Sequence, residues 1–262
     1  MFTAKNYVSP DTLEEAYALN QKRSNKIVGG MLWLKMGRKN YDTVIDLSRL
    51  GLDKIEENDN FFGIGAYATL RDVETHEGLN SCFHDAPRDA VKSIVGVQFR
   101  NCATVGGSIF GRYGFSDVLS VFLSLDTTVV LYKGGEIPLD EFIKMPFDND
   151  ILVKIKVAKN ERKCFYQSVR NTKTDFPVLT CAGSVLNGKI RLVFGARPFA
   201  AAKVEYDFHL NGKSLESFAE DIGKAAQKDV EVFSNMRGSK EYRSHLVEVL
   251  SKRAVLKLGA FL

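Results

Sequence analysis

Two glycine pairs are the residues of this chain whose types and spacing could do chemistry. Gly29-Gly30 ends a short apolar run, and Gly106-Gly107 lies between the hydroxyl side chains of Thr104 and Ser108. Glycine lets the backbone approach a ligand without a Cβ in the way, and free amides ahead of a helix attract negative charge. Two such loops could bind both phosphates of a dinucleotide.

Each glycine pair alone is weak support for this interpretation, because a glycine pair after a strand is more often a plain turn. Neither loop matches GxGxxG or GxxxxGK[ST], so a Rossmann or P-loop nucleotide site loses support. The glycine pairs therefore leave open whether these loops bind phosphate or only turn the chain.

The cysteines and histidines form no recognisable metal site. No CxxC pair is present, and no histidine is placed to complete a zinc site. An iron–sulfur cluster needs thiolates that converge on it, so the cysteines are predicted to be small apolar residues instead. The histidines are predicted to have surface or helix-capping roles. These residues are Cys82, Cys102, Cys164, Cys181, His76, His84, His209 and His245.

Length and composition indicate a globular protein of two or three modest domains. The chain has 262 residues, of which 45% are hydrophobic and 26% charged, with a net charge of +4. The basic residues are spread along the chain, so nucleic-acid binding is not indicated. The most apolar run, residues 118–131, contains Asp126 and is shorter than the roughly 18 apolar residues of a membrane span. The N-terminus has no apolar signal region, so a cytoplasmic location is expected and no membrane partner.

The elements that must position the glycine loops follow from local patterns. Residues 12–20 and 31–36 are predicted to be helical, the second ending at Gly37, and residues 26–28 and 43–47 to be strands. Thr69 to Asp72 resembles a capping box. Asn187-Gly188 is a strong type I′ hairpin signal. Further strands are predicted at residues 61–66, 127–132, 165–170, 178–186 and 189–194, and further helices at residues 87–95, 118–124, 215–228 and 240–258.

Several motifs are spread along the chain. They are the run from Gln98 to Ile109, QFRNCATVGGSI, the segments Val28-Gly29-Gly30, Ile64-Gly65-Ala66 with Thr69-Leu70, and Ser116-Asp117, and the segment from Arg237 to Arg243. Together they resemble one family, the FAD-binding subunits of xanthine dehydrogenase and carbon monoxide dehydrogenase. The first run is similar to the family's Q-I-R-N-x-A-T-I-G-G-N run, and the last segment is similar to its S-x-E-Y-R element. The resemblance covers essentially the whole chain with its spacing preserved.

The resemblance implies an α+β, PCMH-type FAD-binding fold. It consists of two α/β subdomains that clasp the FAD and a C-terminal domain of antiparallel sheet and helices. The expected boundaries are residues 1–57, 58–159 and 160–262.

The resemblance also implies a set of FAD-binding residues. Two loops would hold the pyrophosphate, Asp117 would bond a ribose or a nearby amide, Leu152 would lie near the adenine, and Tyr166 would lie beside the flavin. For Asp117 a plain helix cap is the alternative, and for Leu152 and Tyr166 ordinary strand packing is weighed equally. Arg100 is expected to brace its loop and not to act in catalysis. The loop residues are Asn25, Lys26, Ile27, Val28, Gly29, Gly30, Met31, Leu32, Ala103, Thr104, Val105, Gly106, Gly107 and Ser108.

The function implied by the resemblance is electron transfer within a molybdenum hydroxylase complex. Substrate is oxidised at a molybdenum cofactor in a large subunit, and electrons pass through 2Fe-2S clusters of a small subunit to the FAD and then to an acceptor such as NAD. This chain would hold FAD, no metal and no catalytic side chain. It departs from the family at Met31-Leu32, where Thr-Asp is usual, and at Ser108, where Asn is usual. Each lost side-chain bond is worth roughly 0.5–1.5 kcal/mol.

Two other functions stay open from the sequence. One is a stand-alone FAD-dependent oxidoreductase of the same fold group, such as UDP-N-acetylenolpyruvoylglucosamine reductase, which also has a TVGG loop. No persuasive catalytic Ser and Glu arrangement supports it. The other is an assembly or interaction protein that has lost its flavin. This alternative stays open because Met31-Leu32 stands where the family usually has Thr-Asp.

Overall fold

A computed structural model describes residues 1–261, and these form two compact units that each draw on several segments of the chain. The first unit comprises residues 1–72, 97–111 and 127–158, and the second comprises residues 73–96, 112–126 and 159 onward. No helix in the described part of the chain is long and apolar enough to cross a bilayer.

The first unit contains two sheets and short helices. Its strands are β1 (Thr3–Val8), β2 (Lys26–Val28), β3 (Asn40–Asp46), β4 (Ile55–Glu57), β5 (Phe61–Gly65), β6 (Thr127–Leu131), β7 (Gly135–Pro138) and β8 (Leu152–Ala158). Its helices are α1 (Leu13–Asn20), α5 (Val97–Arg100), α6 (Val105–Phe110) and α8 (Leu139–Phe142). Helix α2 (Leu70–Thr75) begins in the first unit.

The parallel sheet of the first unit has the order β1-β3-β2 and carries the first glycine pair at its end. Its central strand, β3, buries Val44 and Ile45, as the apolar residues of this segment predict. Strand β2 pairs with β3 from Lys26 to Val28. The pairing therefore fixes where the chain leaves the sheet and enters the glycine loop.

The second sheet of the first unit is antiparallel, with the order β4-β5-β8-β6-β7. Strand β6 alternates buried and half-buried residues, with Val129 fully buried, which is the period of two expected of a half-covered strand. Strand β5 ends at Gly65, immediately before the segment that contacts the second glycine loop.

The second unit is built on an antiparallel meander of four strands, β12-β11-β10-β9. The strands are β9 (Lys163–Arg170), β10 (Pro177–Leu186), β11 (Lys189–Gly195) and β12 (Ala202–Asp207). The helices are α3 (Glu77–Cys82), α4 (Ala86–Val91), α7 (Asp117–Ser124), α9 (Leu215–Asp229) and α10 (Lys240–Gly259).

Strand β10 is covered on both faces, which explains why nine of its ten residues are buried. On one face the Thr180 hydroxyl lies 3.0 Å from that of Ser120 in α7, and the Ser184 hydroxyl donates to the Ser124 carbonyl. On the other face Gly183 lies against α10, so that a Cβ there would come within 3.2 Å of the Ala254 side chain. Small residues on β10 thus allow helices to approach from both sides.

The structure confirms the α+β class and most of the predicted elements. Asn187 and Gly188 have φ values of 50° and 69°, as a type I′ turn requires. Thr69 and Asp72 exchange side-chain and backbone bonds as a capping box. The predicted boundaries between residues 57 and 58 and between residues 159 and 160 stay predictions.

One expectation about the N-terminal region was wrong, and one strand there was not predicted. The helix predicted at residues 31–36 is only a single 3₁₀ turn, Leu34–Met36. Strand β1 was not predicted, because its residues are almost all exposed and show no apolar alternation. It forms through long-range parallel pairing with β3, which no local pattern reveals.

Candidate functional site

The two glycine loops lie against each other in the first unit. A Cβ on Gly30 would overlap the carbonyl oxygen of Cys102, and a Cβ on Gly29 would lie 2.8 Å from the Thr104 hydroxyl oxygen. The backbone at neither glycine has a positive φ. Glycine is therefore favoured at both positions by space and not by backbone conformation. Gly30 lies against the backbone of Cys102, and Gly29 lies against the side chain of Thr104.

The first loop leaves polar groups open for a ligand. Within the described residues, the amide N–H groups of Gly30, Met31 and Leu32 have no protein hydrogen bond. The buried Oδ1 of Asn25 also has no partner there, while its Nδ2 donates to the Leu19 carbonyl at 2.8 Å. Open backbone amides at the end of a parallel strand are suited to an anion such as a phosphate.

Met31 holds a left-handed conformation at the centre of this first loop. Its φ is 56°, a region in which a side chain with a Cβ is disfavoured. Its side chain is 41% exposed, so burial of the side chain does not explain the conformation. A strained residue beside open amides is a pattern found at ligand sites.

The second loop uses its amides internally. Helix α6 begins here with Thr104 as its N-cap, and the Thr104 hydroxyl accepts a hydrogen bond from Gly107 N at 3.2 Å. The Ser108 hydroxyl donates to the Thr104 carbonyl at 3.1 Å. This loop can still offer a ligand the proton of the Thr104 hydroxyl, which lies beside Gly29.

The segment that follows β5 holds the start of α6 in place. The carbonyls of Ala66 and Ala68 accept hydrogen bonds from Gly106 N at 2.8 Å and Val105 N at 2.9 Å. Tyr67, which lies between them, donates its hydroxyl proton to the Val28 carbonyl and accepts from Leu47 N. One short segment thus supports both loops, which explains why Ile64-Gly65-Ala66 belongs to the motif.

The second unit brings Asp117 and Tyr166 together, joined by Arg170. The Tyr166 hydroxyl donates to the Asp117 carboxylate, and the Arg170 guanidinium forms an ion pair with the same carboxylate oxygen. Arg170 also donates to the Asp175 carbonyl. Asp117 is not the N-cap of α7, because Ser116 accepts from Leu119 N at 3.1 Å. Arg170 was missed from the sequence, although a charge at the end of an apolar strand could have indicated it.

Burial raises the pKa of Asp117 to about 6, against the opposing effects of Arg170 and Tyr166. Since this folded-state pKa exceeds the ordinary value of 3.8, the folded chain binds a proton between these pH values that the unfolded chain does not. The Asp117 contribution to stability is therefore largest at low pH and falls as the pH rises from about 4 to 6.

We expect the Asp117→Asn variant to lack this fall in stability with rising pH. The free energy of unfolding of the native chain should fall, relative to that of the variant, by about 2 kcal/mol between pH 4 and pH 7. Urea unfolding of both proteins at several pH values measures it. A difference that rises with pH would show that Arg170 outweighs burial.

The other residues singled out from the sequence lie in separate elements. Leu152 is buried in β8 and pairs with Leu131 of β6. Arg100 is buried at the end of α5. His76 caps α3 by accepting from Leu79 N, as predicted for a capping histidine. No group of three or more His, Cys, Asp or Glu residues that could hold a metal occurs among residues 1–261.

Comparison with known proteins identifies the class of the chain. Residues 2–159 match the family described as the FAD binding domain in molybdopterin dehydrogenase, and residues 163–258 match the CO dehydrogenase flavoprotein C-terminal domain. The chain belongs to this family of FAD-binding proteins. It is an FAD-binding medium subunit of the molybdenum hydroxylase type, and hence an oxidoreductase component.

Individual relatives match over nearly their whole length. The chain is 27% identical to the glyceraldehyde dehydrogenase medium chain of Sulfolobus acidocaldarius, covering 95% of this chain and 96% of that protein. It is 25% identical to the nicotine 6-hydroxylase medium subunit of Paenarthrobacter nicotinovorans, covering 98% of each.

Solved structures share the fold. Quinoline 2-oxidoreductase from Pseudomonas putida 86 superposes with a TM-score of 0.83 at 18% identity, over 97% of this chain and 96% of that one. Carbon monoxide dehydrogenase from Hydrogenophaga pseudoflava gives a TM-score of 0.80 at 21% identity, over 97% of each chain.

The geometry of the first unit fits the FAD that the family binds. The open amides of Gly30, Met31 and Leu32 can hold phosphate oxygens, and the Thr104 hydroxyl can donate to another. The unpartnered Oδ1 of Asn25 can accept from a ribose hydroxyl. The departure at Ser108 has a local explanation, because its hydroxyl bonds within α6.

Proposed function

We propose that this chain carries FAD between iron–sulfur clusters on a partner chain and an electron acceptor such as NAD. Its partners in this proposal are a molybdenum-cofactor large subunit and a 2Fe-2S small subunit, each on its own chain. The observation that carries the proposal is the close contact of the glycine loops at Gly30 and Cys102, with open amides beside it, in a chain of this family.

The residues of the chain would bind and orient the cofactor. Gly30 to Leu32 would hold the pyrophosphate through backbone amides, and Thr104 would add a hydroxyl. Asp117, held by Tyr166 and Arg170, would orient a polar edge of the cofactor. When bound, the FAD itself supplies the ability to take up two electrons and to pass them on.

The proposal predicts that the purified chain has the visible absorption of oxidised flavin and releases about one FAD per chain on heating. Anaerobic addition of NADH tests the acceptor, since bleaching of the flavin bands is expected if NAD is the physiological partner. Co-purification with a molybdenum subunit and a 2Fe-2S subunit tests the complex. A colourless chain that takes up no added FAD, alone or in the complex, would contradict the electron-transfer role.

Restoring the family's side chains in the first loop should tighten FAD binding. In Met31→Thr with Leu32→Asp, each new hydrogen bond is expected to add about 0.5–1.5 kcal/mol, roughly a 2- to 12-fold lower Kd per bond. Titration with FAD measures the change. Met36→Thr, in the same segment and 72% exposed, is the control and should leave the Kd unchanged. Equal affinity of the double variant and the native chain would show that these side chains do not reach the cofactor.

A further inference from the structure

The second unit contains a cavity that the proposed FAD-binding loops do not explain. Its volume is about 380 Å³, within the range of small-molecule sites. The residues around it belong to the turn before α7, the start of β10, the loop after β11 and the loop before α10. They include Gly114, Phe115, Phe176, Ala196, Phe199 and Arg237.

Aromatic rings form much of the cavity wall. Phe115 and Phe176 meet edge to face with their ring centroids 4.8 Å apart. Phe199 lies on another side, and its ring is 62% exposed. Aromatic walls of this kind favour a flat, unsaturated ligand, which can stack on ring faces or meet ring edges.

Arg237 gives the cavity a positive charge with unused donors. Its guanidinium lies over the Phe176 ring, 4.8 Å from the centroid. Its Nε is buried and has no hydrogen-bond partner among the described residues. Its Nη2 lies 3.6 Å from the Asp175 carboxylate, too far for a hydrogen bond. A guanidinium with an unpartnered N–H donor is suited to bind a planar anion such as a carboxylate.

The loop that carries Arg237 is stabilised by hydrogen bonds within the protein. Asn235 and Gly238 exchange backbone hydrogen bonds of 3.1 and 3.2 Å. Asn235 Oδ1 accepts from Arg237 N at 2.9 Å and from the fully buried Arg243 at 2.6 Å. The Arg237 backbone is therefore fixed by the protein before any ligand arrives.

The opposite wall is equally constrained. Ala196 N donates to the Gly114 carbonyl at 2.6 Å. A Cβ on Gly114 would overlap the Phe199 carbonyl, so these two segments are in direct backbone contact. A cavity with walls fixed in this way loses little conformational entropy when it binds a ligand.

We propose that this cavity binds a small planar aromatic anion, with its ring against the walls formed by Phe115, Phe176 and Phe199 and its anionic group on Arg237. The site lies within the second unit and does not depend on whether the glycine loops hold FAD.

Calorimetric titration of the full chain with 2-naphthoate tests this site. We expect saturable binding of one 2-naphthoate per chain. Arg237→Gln should weaken it about tenfold or more, since a charge-assisted bidentate bond is lost. Lys240→Gln removes the same charge from an exposed position three residues away and should leave the affinity unchanged. The neutral 2-naphthamide should bind the native chain more weakly and should be insensitive to Arg237→Gln.

Phe176→Leu provides a second variant, because it removes a ring without removing a charge. It should weaken both 2-naphthoate and 2-naphthamide, and circular dichroism confirms that each variant is folded. Absence of saturable binding, equal losses in Arg237→Gln and Lys240→Gln, or displacement of the probe by added FAD would each overturn the proposal. Displacement by FAD would place the probe in the flavin site, whereas the proposed function would stand.

Discussion

Gly30→Ala is expected to bind FAD about 5- to 150-fold more weakly than the native chain. The new methyl group would overlap the Cys102 carbonyl, which belongs to backbone and cannot rotate away. Forced separation of tightly packed groups costs about 1–3 kcal/mol, and here the separation moves the loop whose open amides are proposed to hold the pyrophosphate. Titration of the flavin-free chain with FAD, followed by fluorescence, measures the Kd.

Gly63→Ala is the matched control for this experiment. Gly63 lies in β5 of the same unit, and a Cβ there would meet no atom closer than 3.4 Å. We expect this variant to bind FAD as the native chain does. Native affinity in Gly30→Ala, with an unchanged thermal midpoint, would mean that the loops do not need their close contact.

Arg243→Met is expected to lower the free energy of unfolding by about 3 kcal/mol or more. Arg243 is fully buried, and its guanidinium donates to the carbonyls of Val178 and Phe233 at 2.8 Å each, and also to Gly238 and Asn235. Methionine fills a similar volume but removes all four hydrogen bonds. Gly238 and Asn235 keep a second donor, whereas the carbonyls of Val178 and Phe233 lose the Arg243 donor. A buried acceptor left unsatisfied costs about 1–3 kcal/mol.

Urea unfolding followed by circular dichroism measures this loss. Arg253→Met, at an exposed position of the same helix, controls for the change in charge and helix propensity and should cost less than about 0.5 kcal/mol. Arg243→Lys should fall between the two, because one ammonium group cannot reach all four acceptors. Equal stability of the two methionine variants would show that Arg243 does not stabilise the loop before α10.

The fold could be predicted where local patterns decide it. Asn187-Gly188 requires a turn that only a few residue pairs adopt, and the apolar faces of α9 and α10 repeat at helical spacing. Strand β1 could not be predicted, since its stability comes from β3, more than thirty residues away. The false helix at residues 31–36 shows the same limit, because the chain lies against Cys102 at Gly30 and Met31 then has a positive φ, which a right-handed helix does not contain.

The candidate site, like the fold, could be predicted from the sequence only in part. The glycine pairs and the resemblance indicated both loops, but no sequence pattern shows which amides stay open. The structure pairs the amides of the second loop with Ala66, Ala68 and Thr104 and leaves those of the first loop open. Arg170 and Tyr166 converge on Asp117 only because β9 lies beside the start of α7. Such convergence depends on tertiary structure.

The path of α7 has a consequence for dividing the protein into pieces. This helix precedes residue 159, where the first family match ends, yet it packs on β10, which follows that residue. All eight residues of α7 are buried. A fragment that stops at residue 159 would therefore expose an apolar helix to water and would tend to aggregate. A cut between the two family matches would therefore separate α7 from β10, the strand on which it packs.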